Sequence, residues 1–431
     1  MPQWKWFFVI YVKMLIFIIY KGEFDKMMLE ESVNFILPKE KHSFYDRHDD
    51  NYLVHVKWSK KIEEDYAQLA DNYFQCGYKT YSNIVENGHN NTKSDMWILP
   101  SIYMLRQSIE LFIKALLCRS IKSKNESQKI FIKCKHNVYK CFKEYMKTDE
   151  NYLDRIEEKW MESYLMSIEE IDSKSDLFRF RFSNDFMSQY GNKFLNIADI
   201  GNNLLQCCSL LKKCIDKGSN SPIIKFDKNK KSEFLQFANH GIGNCYLWDC
   251  IGGDGFYKQI TGYNEVAKFL FLECDDLSNE QKSYPLIFLY RNIIELELKR
   301  MFYKTIKFSV TAKEYKKRKS HKLYEELWKN VKPMIEHYAK EMGQDMSIID
   351  NVENKLKEID EIDKNGYMFR YPTSYSFEYK FNDKYIDISN IFIYMQAIVN
   401  FLEGCDSIFV EVEEFEVERR EEMNKYYYED R

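Results

Sequence analysis

The stretch YMLRQSIELFIKALL, residues 103–117, decides the fold, because a similar stretch, LYRNIIELELKRMF, recurs at residues 289–302. In both stretches an arginine, the triplet Ile-Glu-Leu and a lysine follow in the same order. Apolar residues in the first stretch recur at steps of three and four, which predicts a helix, and they also cover its other faces. A helix that is apolar nearly all round lies inside a bundle. The sequence therefore predicts a mainly helical, all-α protein with two related buried helices.

The similarity continues on the C-terminal side of these stretches. Arg106 and Arg291 lie 185 positions apart, and so do His136 and His321. One spacing shared by separate motifs indicates an internal duplication of a larger unit.

Two later motifs repeat with slightly larger spacings. FRFS at residues 180–183 matches FRYP at residues 369–372, which lies 189 positions further on. ADIGN at residues 198–202 matches IDISN at residues 386–390, at a spacing of 188. Because small length differences of this kind belong in loops, the later motifs support the same duplication.

Local patterns predict further elements. A helix is expected from Ser59 to Val85. The stretch SYSFEYKFNDKYIDI alternates around Asn382-Asp383, which predicts a β-hairpin inserted between helices. Asp199 and Asp387 stand where N-caps would open the last helix of each repeat.

The predicted organisation is two tandem helical bundles, each with a small β-hairpin insertion. The predicted segments are residues 1–26, an upstream or anchor segment; 27–58, an N-terminal extension; 59–216, the first repeat; 217–255, a glycine-containing linker; 256–405, the second repeat; and 406–431, a charged tail that is expected to be solvated from Val410 onward.

The N-terminal stretch WFFVIYVKMLIFIIY, residues 6–20, is apolar but short, with Lys13 in its middle. A membrane-spanning helix needs about 20 apolar residues. We expect the natural chain to begin at Met27 or Met28, so that residues 1–26 are upstream sequence. A membrane anchor is the alternative.

Composition favours an intracellular protein. The 11 cysteines are scattered and include no Cys-x-x-Cys pair, which fits buried reduced thiols better than a disulfide framework. The formal net charge of −4 argues against a globally basic nucleic-acid binder, but it leaves a local basic cleft open. We predict a cytoplasmic protein with no cofactor and no bound metal.

The repeated polar residues form a stripe. Arg106, Glu110 and Lys114 are spaced four apart, so they share one helix face. On a buried helix they must pair, because a buried charge without a partner costs several kcal/mol. Such a set is either a structural network or a ligand or catalytic site. The predicted members are Arg106, Glu110, Lys114, His136 and Arg181 (or Arg179) in the first repeat, and Arg291, Glu295, Lys299, His321 and Arg370 in the second.

A helix with Ile-Glu-Leu-x-[Ile/Leu]-Lys, followed by a loop and His-x-[Leu/Val]-Tyr, resembles the HEPN superfamily. These are small all-α domains of bacteria and archaea, built as bundles of four or five helices. The positions that carry the resemblance are Glu110, Lys114 and His136-Asn137-Val138 in the first repeat, and Glu295, Lys299 and His321-Lys322-Leu323 in the second.

The resemblance implies a prokaryotic defence or toxin-type protein. Many HEPN proteins are metal-independent ribonucleases, and others serve as partners of nucleotidyltransferases. The usual ribonuclease signature places an arginine four to six residues before a histidine, and this chain lacks it. Arg318 is separated from His321 by only two residues, and no arginine lies close before His136.

The repeated histidines and arginines could still support metal-independent RNA cleavage without that signature. RNA cleavage without metal needs a base near the 2′-hydroxyl and cations beside the phosphate. Histidine suits the first role near neutral pH, and arginine matches phosphate oxygens. The catalytic candidates are His136, His321, Arg106 and Arg291. The binding candidates are Glu110, Glu295, Lys114, Lys299, Arg181 and Arg370.

Two functions therefore stand side by side. The first is an RNA-binding protein that, if it is an enzyme, is a metal-independent endoribonuclease. The alternative is a non-catalytic helical module that holds a partner protein, encoded by a neighbouring gene, or a nucleotide. We expect the two repeats to pair within the chain, and we expect no membrane partner. A positive cleft containing both histidines would favour cleavage, whereas separate sealed networks would favour the binding module.

Overall fold

A computed structural model describes residues 33–218, 224–241, 243–247, 255–306 and 320–429. Within these ranges α-helices predominate and strands are few and short, so the predicted mainly all-α fold is confirmed. The predicted upstream or anchor segment, residues 1–26, lies outside the described residues. No helix in the described ranges is both long and apolar enough to span a membrane.

The helices of the described ranges are numbered in chain order. They are α1 (Ile62–Glu86), α2 (Ile98–Ser120), α3 (Lys124–Cys134), α4 (Val138–Tyr145), α5 (Arg155–Asp172), α6 (Asn184–Tyr190), α7 (Ile197–Ile215), α8 (Tyr257–Leu272), α9 (Asn279–Ile306), α10 (Lys329–Glu341), α11 (Ser347–Asp363) and α12 (Ile388–Glu429). Two π-helical turns, Lys93–Trp97 and Leu323–Trp328, lead into α2 and α10.

The described strands form two small antiparallel sheets. They are β1 (Leu53–Val56), β2 (Phe194–Leu195), β3 (Phe237–Ala238), β4 (Cys245–Tyr246) and β5 (Lys384–Asp387). β1 pairs with β5, with Leu53 opposite Asp387, and β2 lies between β3 and β4.

The hairpin predicted around Asn382-Asp383 is wrong. Only β5 forms on its C-terminal side, and its partner is β1, far away in sequence. On the other side, the Asn382 side chain accepts a hydrogen bond of 2.8 Å from the Trp58 amide, and the Phe381 carbonyl accepts one from the Trp58 indole. Of the alternating aromatic residues, Phe377 and Phe381 are buried, whereas Tyr375 and Tyr385 are exposed, so the alternation does not mark a hairpin.

Contacts within the described residues divide the chain into two compact units. The larger unit comprises Tyr45–Leu296 and Glu361–Phe392. The smaller unit comprises the described parts of Met1–Phe44, Glu297–Asp360 and Ile393–Arg431. These ranges do not follow the predicted repeat boundaries, because the FRYP motif of the second repeat belongs to the same unit as the first repeat.

In the larger unit, the predicted burial of the first repeated helix is confirmed. Every residue of α2 from Ile98 to Leu117 is buried. Helix α1, predicted at Ser59–Val85 and observed at Ile62–Glu86, packs along α2. A Cβ atom at Gly77 of α1 would lie 2.9 Å from Leu105 Cγ, so glycine permits the close approach of the two helices.

The predicted linker, residues 217–255, is partly folded. β3 and β4 come from this segment and pair with β2 of the first repeat. The carbonyl of Lys230 accepts a hydrogen bond of 3.0 Å from the Trp160 indole, and the carbonyl of Lys231 accepts one of 2.7 Å from the Asn203 amide. Residues 224–247, as far as they are described, therefore form part of the larger unit.

One of the two predicted N-caps is confirmed. Asp387 Oδ1 accepts hydrogen bonds from the amides of Ser389 and Asn390 at the start of α12. In α7 the cap is Asn196, which accepts from the amide of Asp199. The prediction for Asp199 is wrong because this residue lies in the first turn, three positions after the cap.

The C-terminal segment continues as helix. In the smaller unit α12 runs to Glu429, so no boundary appears at residue 406. Asp406 is buried and lies 3.3 Å from the Nε atom of Arg300, and Phe409 is also buried. Both buried residues precede Val410, where the stretch predicted to be solvated begins.

Candidate functional site

The Glu110 carboxylate is the centre of the polar cluster in the first repeat. Its Oε2 atom lies 2.9 Å from Nη1 of Arg106, and its Oε1 atom lies 2.7 Å from Nζ of Lys114. All three side chains are 1% exposed. Because α2 places them on successive turns of one buried face, the helix itself provides the pairing that the sequence predicted.

Two residues from outside α2 complete the cluster. The Tyr371 hydroxyl donates to Glu110 Oε1 at 2.7 Å, and Nδ1 of His136 lies 3.2 Å from the same oxygen. The Tyr371 hydroxyl and His136 Nδ1 are 3.0 Å apart. Lys114 Nζ also lies 4.4 Å from the centre of the Tyr371 ring, within the range of a cation–π contact.

Electrostatic pairing controls the charge state of the cluster. Burial alone would raise the pKa of Glu110, but Lys114, His136 and Arg106 hold it well below its usual value. Burial would lower the pKa of Lys114, yet Glu110 raises it above its usual value. At neutral pH the carboxylate and the ammonium are therefore both charged.

His136 differs from its neighbours. Its side chain is 16% exposed. Burial lowers its pKa, and Glu110 opposes that shift without reversing it. Because the Tyr371 hydroxyl donates to Glu110, the pattern of hydrogen bonds favours the proton on Nδ1 of a neutral imidazole. Among the described residues, none forms a hydrogen bond or ion pair with His136 Nε2, which leaves that nitrogen as an acceptor.

An aspartate that the sequence analysis missed anchors Arg106. Asp172 Oδ2 lies 3.3 Å from Arg106 Nε, and the carbonyl of His136 accepts a hydrogen bond of 2.7 Å from Nη2. The Asp172 Oδ1 atom accepts from the amides of Asp176 and Leu177. The Arg106 guanidinium is thus bound by two carboxylates and a carbonyl.

The second repeat builds the same arrangement in the larger unit. Arg291 Nη1 lies 2.6 Å from Glu295 Oε2, and Arg291 Nε lies 3.4 Å from Asp363 Oδ2. Asp363 Oδ1 accepts from the amides of Tyr367 and Met368, as Asp172 does from its own loop. The arginine, glutamate and aspartate are therefore structural equivalents in the two repeats.

The aspartates correct the alignment of the later motifs. Asp172 and Asp363 are 191 positions apart, within the shared pattern Glu-Ile-Asp, four intervening residues and then [Leu/Met]-Phe-Arg. This spacing pairs Arg179, not Arg181, with Arg370. Of the two predicted alternatives, Arg179 is therefore the equivalent of Arg370, and Arg181 lies instead beside Gly255.

The two Phe-Arg segments are bound reciprocally. The side-chain amide of Gln107 donates to the carbonyl of Arg370 at 2.9 Å, and that of Asn292 donates to the carbonyl of Arg179 at 3.0 Å. Gln107 and Asn292 are equivalent at the spacing of 185. Thus the segment that follows each repeated aspartate contacts the repeated helix of the other repeat.

Not all the predicted residues come together. Arg106, Glu110, Lys114 and His136 do, and so do Arg291 and Glu295. Lys299 and His321 belong to the smaller unit. There, His321 precedes the π-helical turn Leu323–Trp328, whose first amides donate to Asp360.

Burial limits what these groups can do. Arg106 and Arg291 are 1% exposed, and their guanidinium groups are directed at carboxylates. This arrangement does not support the prediction that they contact substrate. His136 is the group of the first cluster with an unused acceptor and some exposure. No family model matches the chain, and neither the curated proteins nor the solved structures include a significant match to it.

Proposed function

We propose that the chain is an RNA-binding protein of the HEPN type in a prokaryotic defence or toxin system, and that it cleaves RNA without metal through His136. The observation that carries this proposal is the binding of His136 Nδ1 by Glu110 and Tyr371, at 3.2 and 3.0 Å. This leaves Nε2 available as a base.

The proposed role of His136 follows from its charge state. A histidine whose pKa is lowered by burial is neutral at pH 7 and can accept a proton from a 2′-hydroxyl. Glu110 would then stabilise the imidazolium that forms, as a carboxylate does for the base of a catalytic triad. Glu110 and Tyr371 are positioning residues in this proposal.

Phosphate would be bound by exposed cations, since the repeated arginines are buried. Lys135 and Lys140 flank His136 in sequence, and both are exposed. Lys135 has a φ of 53°, in the left-handed region that is strained for a residue with a side chain. This backbone conformation directly precedes His136 and supports a functional role for the loop.

We propose one cleavage site, at His136, and none at the equivalent cluster of the second repeat. Tyr371 follows Arg370, and the residue that follows the equivalent Arg179 is Phe180. Because phenylalanine has no hydroxyl, the second cluster cannot copy the Tyr371 contacts.

The second candidate function is the non-catalytic binding module. The observation that favours it is the sealing of the repeated charges, since Arg106, Glu110, Arg291 and Glu295 are each at most 1% exposed. Such buried networks are retained in some proteins for conformational specificity. In this case the chain would hold a partner protein or a nucleotide, and His136 would only complete the network.

An RNA assay with matched variants separates the two functions. The full chain is incubated with cellular RNA in a chelator, beside His136→Ala and His337→Ala. His337 is a suitable control because its side chain is 63% exposed and lies outside the cluster. Cleavage by the wild type and by His337→Ala, with loss in a folded His136→Ala variant, supports the proposal. Absence of cleavage, or equal cleavage by all three, supports the binding module.

A further inference from the structure

Two buried arginines of the larger unit have no acidic partner. Arg179 is 5% exposed and Arg370 is 2% exposed. Within the described residues, neither guanidinium lies within ion-pair distance of a carboxylate, whereas Arg106 and Arg291 each have two. Arg179 and Arg370 occupy equivalent positions in the two repeats, so a buried arginine without an acidic partner occurs in each repeat.

The two side chains lie around a shared polar and aromatic centre. Arg370 Nη2 donates to Gln107 Oε1 at 3.4 Å, and the Tyr103 hydroxyl lies 3.4 Å from the same oxygen. The Arg179 guanidinium carbon lies 5.8 Å from the centre of the Tyr103 ring and 5.2 Å from that of Phe288. Tyr103 and Phe288 stack with their ring centres 4.7 Å apart. Both arginines therefore border the place where the repeated helices meet.

The contacts of the two buried cations come from aromatic rings and an amide oxygen, and none of them is an ion pair. Removing an ion from water is unfavourable even after the surroundings relax. A cation–π contact offsets only part of that cost. Glu110 helps to raise the pKa of Arg370, but its two oxygens are already bound by Arg106, Lys114 and Tyr371.

Asn292, whose side-chain amide donates to the Arg179 carbonyl, carries an unsatisfied acceptor. Asn292 Oδ1 is buried and has no hydrogen-bond partner in the described structure, and the Nε atoms of Arg179 and Arg370 also have none. A ligand that offers negative oxygens to the arginines and a hydroxyl to Asn292 would satisfy all three residues.

We propose that Arg179 and Arg370 bind one phosphate-bearing small ligand at the junction of the two repeats. The planar guanidinium groups match phosphate oxygens, and a phosphate dianion would neutralise both cations. The site is separate from His136 and does not depend on RNA cleavage. The ligand is either inorganic phosphate or the phosphate of a nucleotide, which the test distinguishes.

Isothermal titration calorimetry on the full chain tests the proposal. Sodium phosphate and adenosine monophosphate are titrated separately, with sodium chloride at equal ionic strength as the reference. The variants are Arg179→Gln and Arg370→Gln, and Arg155→Gln is the control because Arg155 is exposed on α5. We expect one ligand per wild-type chain and an affinity at least about tenfold lower in each of the two variants, because each loses a charge-assisted contact. The control is expected to bind like the wild type.

Wild-type protein alone can contradict the proposal. Absence of binding by the wild type with either ligand, or unchanged binding by Arg179→Gln and Arg370→Gln, contradicts it. Where the variants fail to fold, wild-type crystals soaked in tungstate give the answer. An anomalous peak between the two guanidinium groups supports the site, and a peak elsewhere or no peak excludes it.

Discussion

The side-chain amide of Gln107, in the first repeat, donates a hydrogen bond to the backbone carbonyl of Arg370, in the second. Asn292 makes the equivalent bond to Arg179 in the opposite direction. Each repeat thus binds a segment of the other, and we call this arrangement the exchange of segments. Two tyrosines add to it: the Tyr73 hydroxyl donates to the carbonyl of Phe369 at 2.9 Å, and the Tyr263 hydroxyl donates to that of Phe178 at 3.2 Å. The larger unit is therefore built from both repeats.

From the exchange of segments we predict that substitutions at two equivalent positions lower stability by similar amounts. Gln107→Ala leaves the Arg370 carbonyl without its donor, and Asn292→Ala does the same at Arg179. An unsatisfied buried group costs about 1–3 kcal/mol, so we expect each variant to lose a similar amount of unfolding free energy in urea. Gln189→Ala, at an exposed position of α6, is the control and should not change stability. Wild-type stability in either variant would contradict the reciprocal arrangement.

Glu110 predicts a pH-dependent contribution to stability. Its pKa in the folded chain lies well below the ordinary value of 4.5. A carboxyl group with a depressed pKa stabilises the fold above its unfolded pKa, and this contribution is lost as the pH falls below about 4.5. We expect Glu110→Gln to cost about 3–5 kcal/mol at pH 7, because it leaves Arg106 and Lys114 with an uncharged partner.

The measurement is urea unfolding of the wild type and Glu110→Gln between pH 3 and pH 8. The difference between the two should be largest near neutral pH and should shrink in acid. A difference that stays constant across this range would show that the charge of Glu110 does not stabilise the fold.

For Glu297, in the smaller unit, we predict the opposite dependence of stability on pH. Burial raises its pKa to about 8, although Arg300 lies 2.6 Å away and opposes the shift. The folded chain therefore holds a proton that the unfolded chain has released above about 4.5, so stability falls as the pH rises from 4.5 through 8. We expect Glu297→Gln to be more stable than the wild type at pH 8.5 and to lose this advantage near pH 5. Thermal unfolding at both pH values checks this, and a variant that is less stable at pH 8.5 would refute it.

Two glycines predict opposite effects of the same substitution. A Cβ atom at Gly201 of α7 would overlap the ring of Tyr81, so Gly201→Ala should cost about 1–3 kcal/mol through overpacking. Gly404 lies exposed within α12, and no atom lies near its Cβ position. Gly404→Ala should stabilise the chain by about 0.5–1 kcal/mol, because alanine favours a helix. Equal effects in thermal unfolding would contradict the packing of α7 on α1.

The sequence was sufficient to predict the repeated helix and its internal pairs. Arg106, Glu110 and Lys114 are four residues apart on a helix that is apolar all round, so both their burial and their pairing follow from one period. The positions of Asp172 and Asp363 were also readable, since both follow Glu-Ile and precede Phe-Arg at the same distance. The shorter FRFS match hid this relation because Phe-Arg occurs twice in succession at residues 178–181.

The exchange of segments and the pairing of β1 with β5 could not be predicted. Each joins residues that are far apart in sequence, and the local pattern of either partner is equally compatible with pairing inside its own repeat. The alternation of aromatic and polar residues around Asn382 is an example, because a half-buried loop and a strand can have the same alternating pattern. The role of Tyr371 was missed for the same reason, since its partners Glu110 and His136 lie in the other repeat.

Analysis of the ends of the RNA products tests the central proposal most directly. When a base activates a 2′-hydroxyl, the oxygen attacks the adjacent phosphorus and the 5′-oxygen of the next nucleotide leaves, so a 2′,3′-cyclic phosphate forms. In a chelator, we predict such ends with the wild-type chain and with His337→Ala, and none with folded His136→Ala. Products that end in a 3′-hydroxyl, or cyclic ends that persist in His136→Ala, would contradict the role of His136.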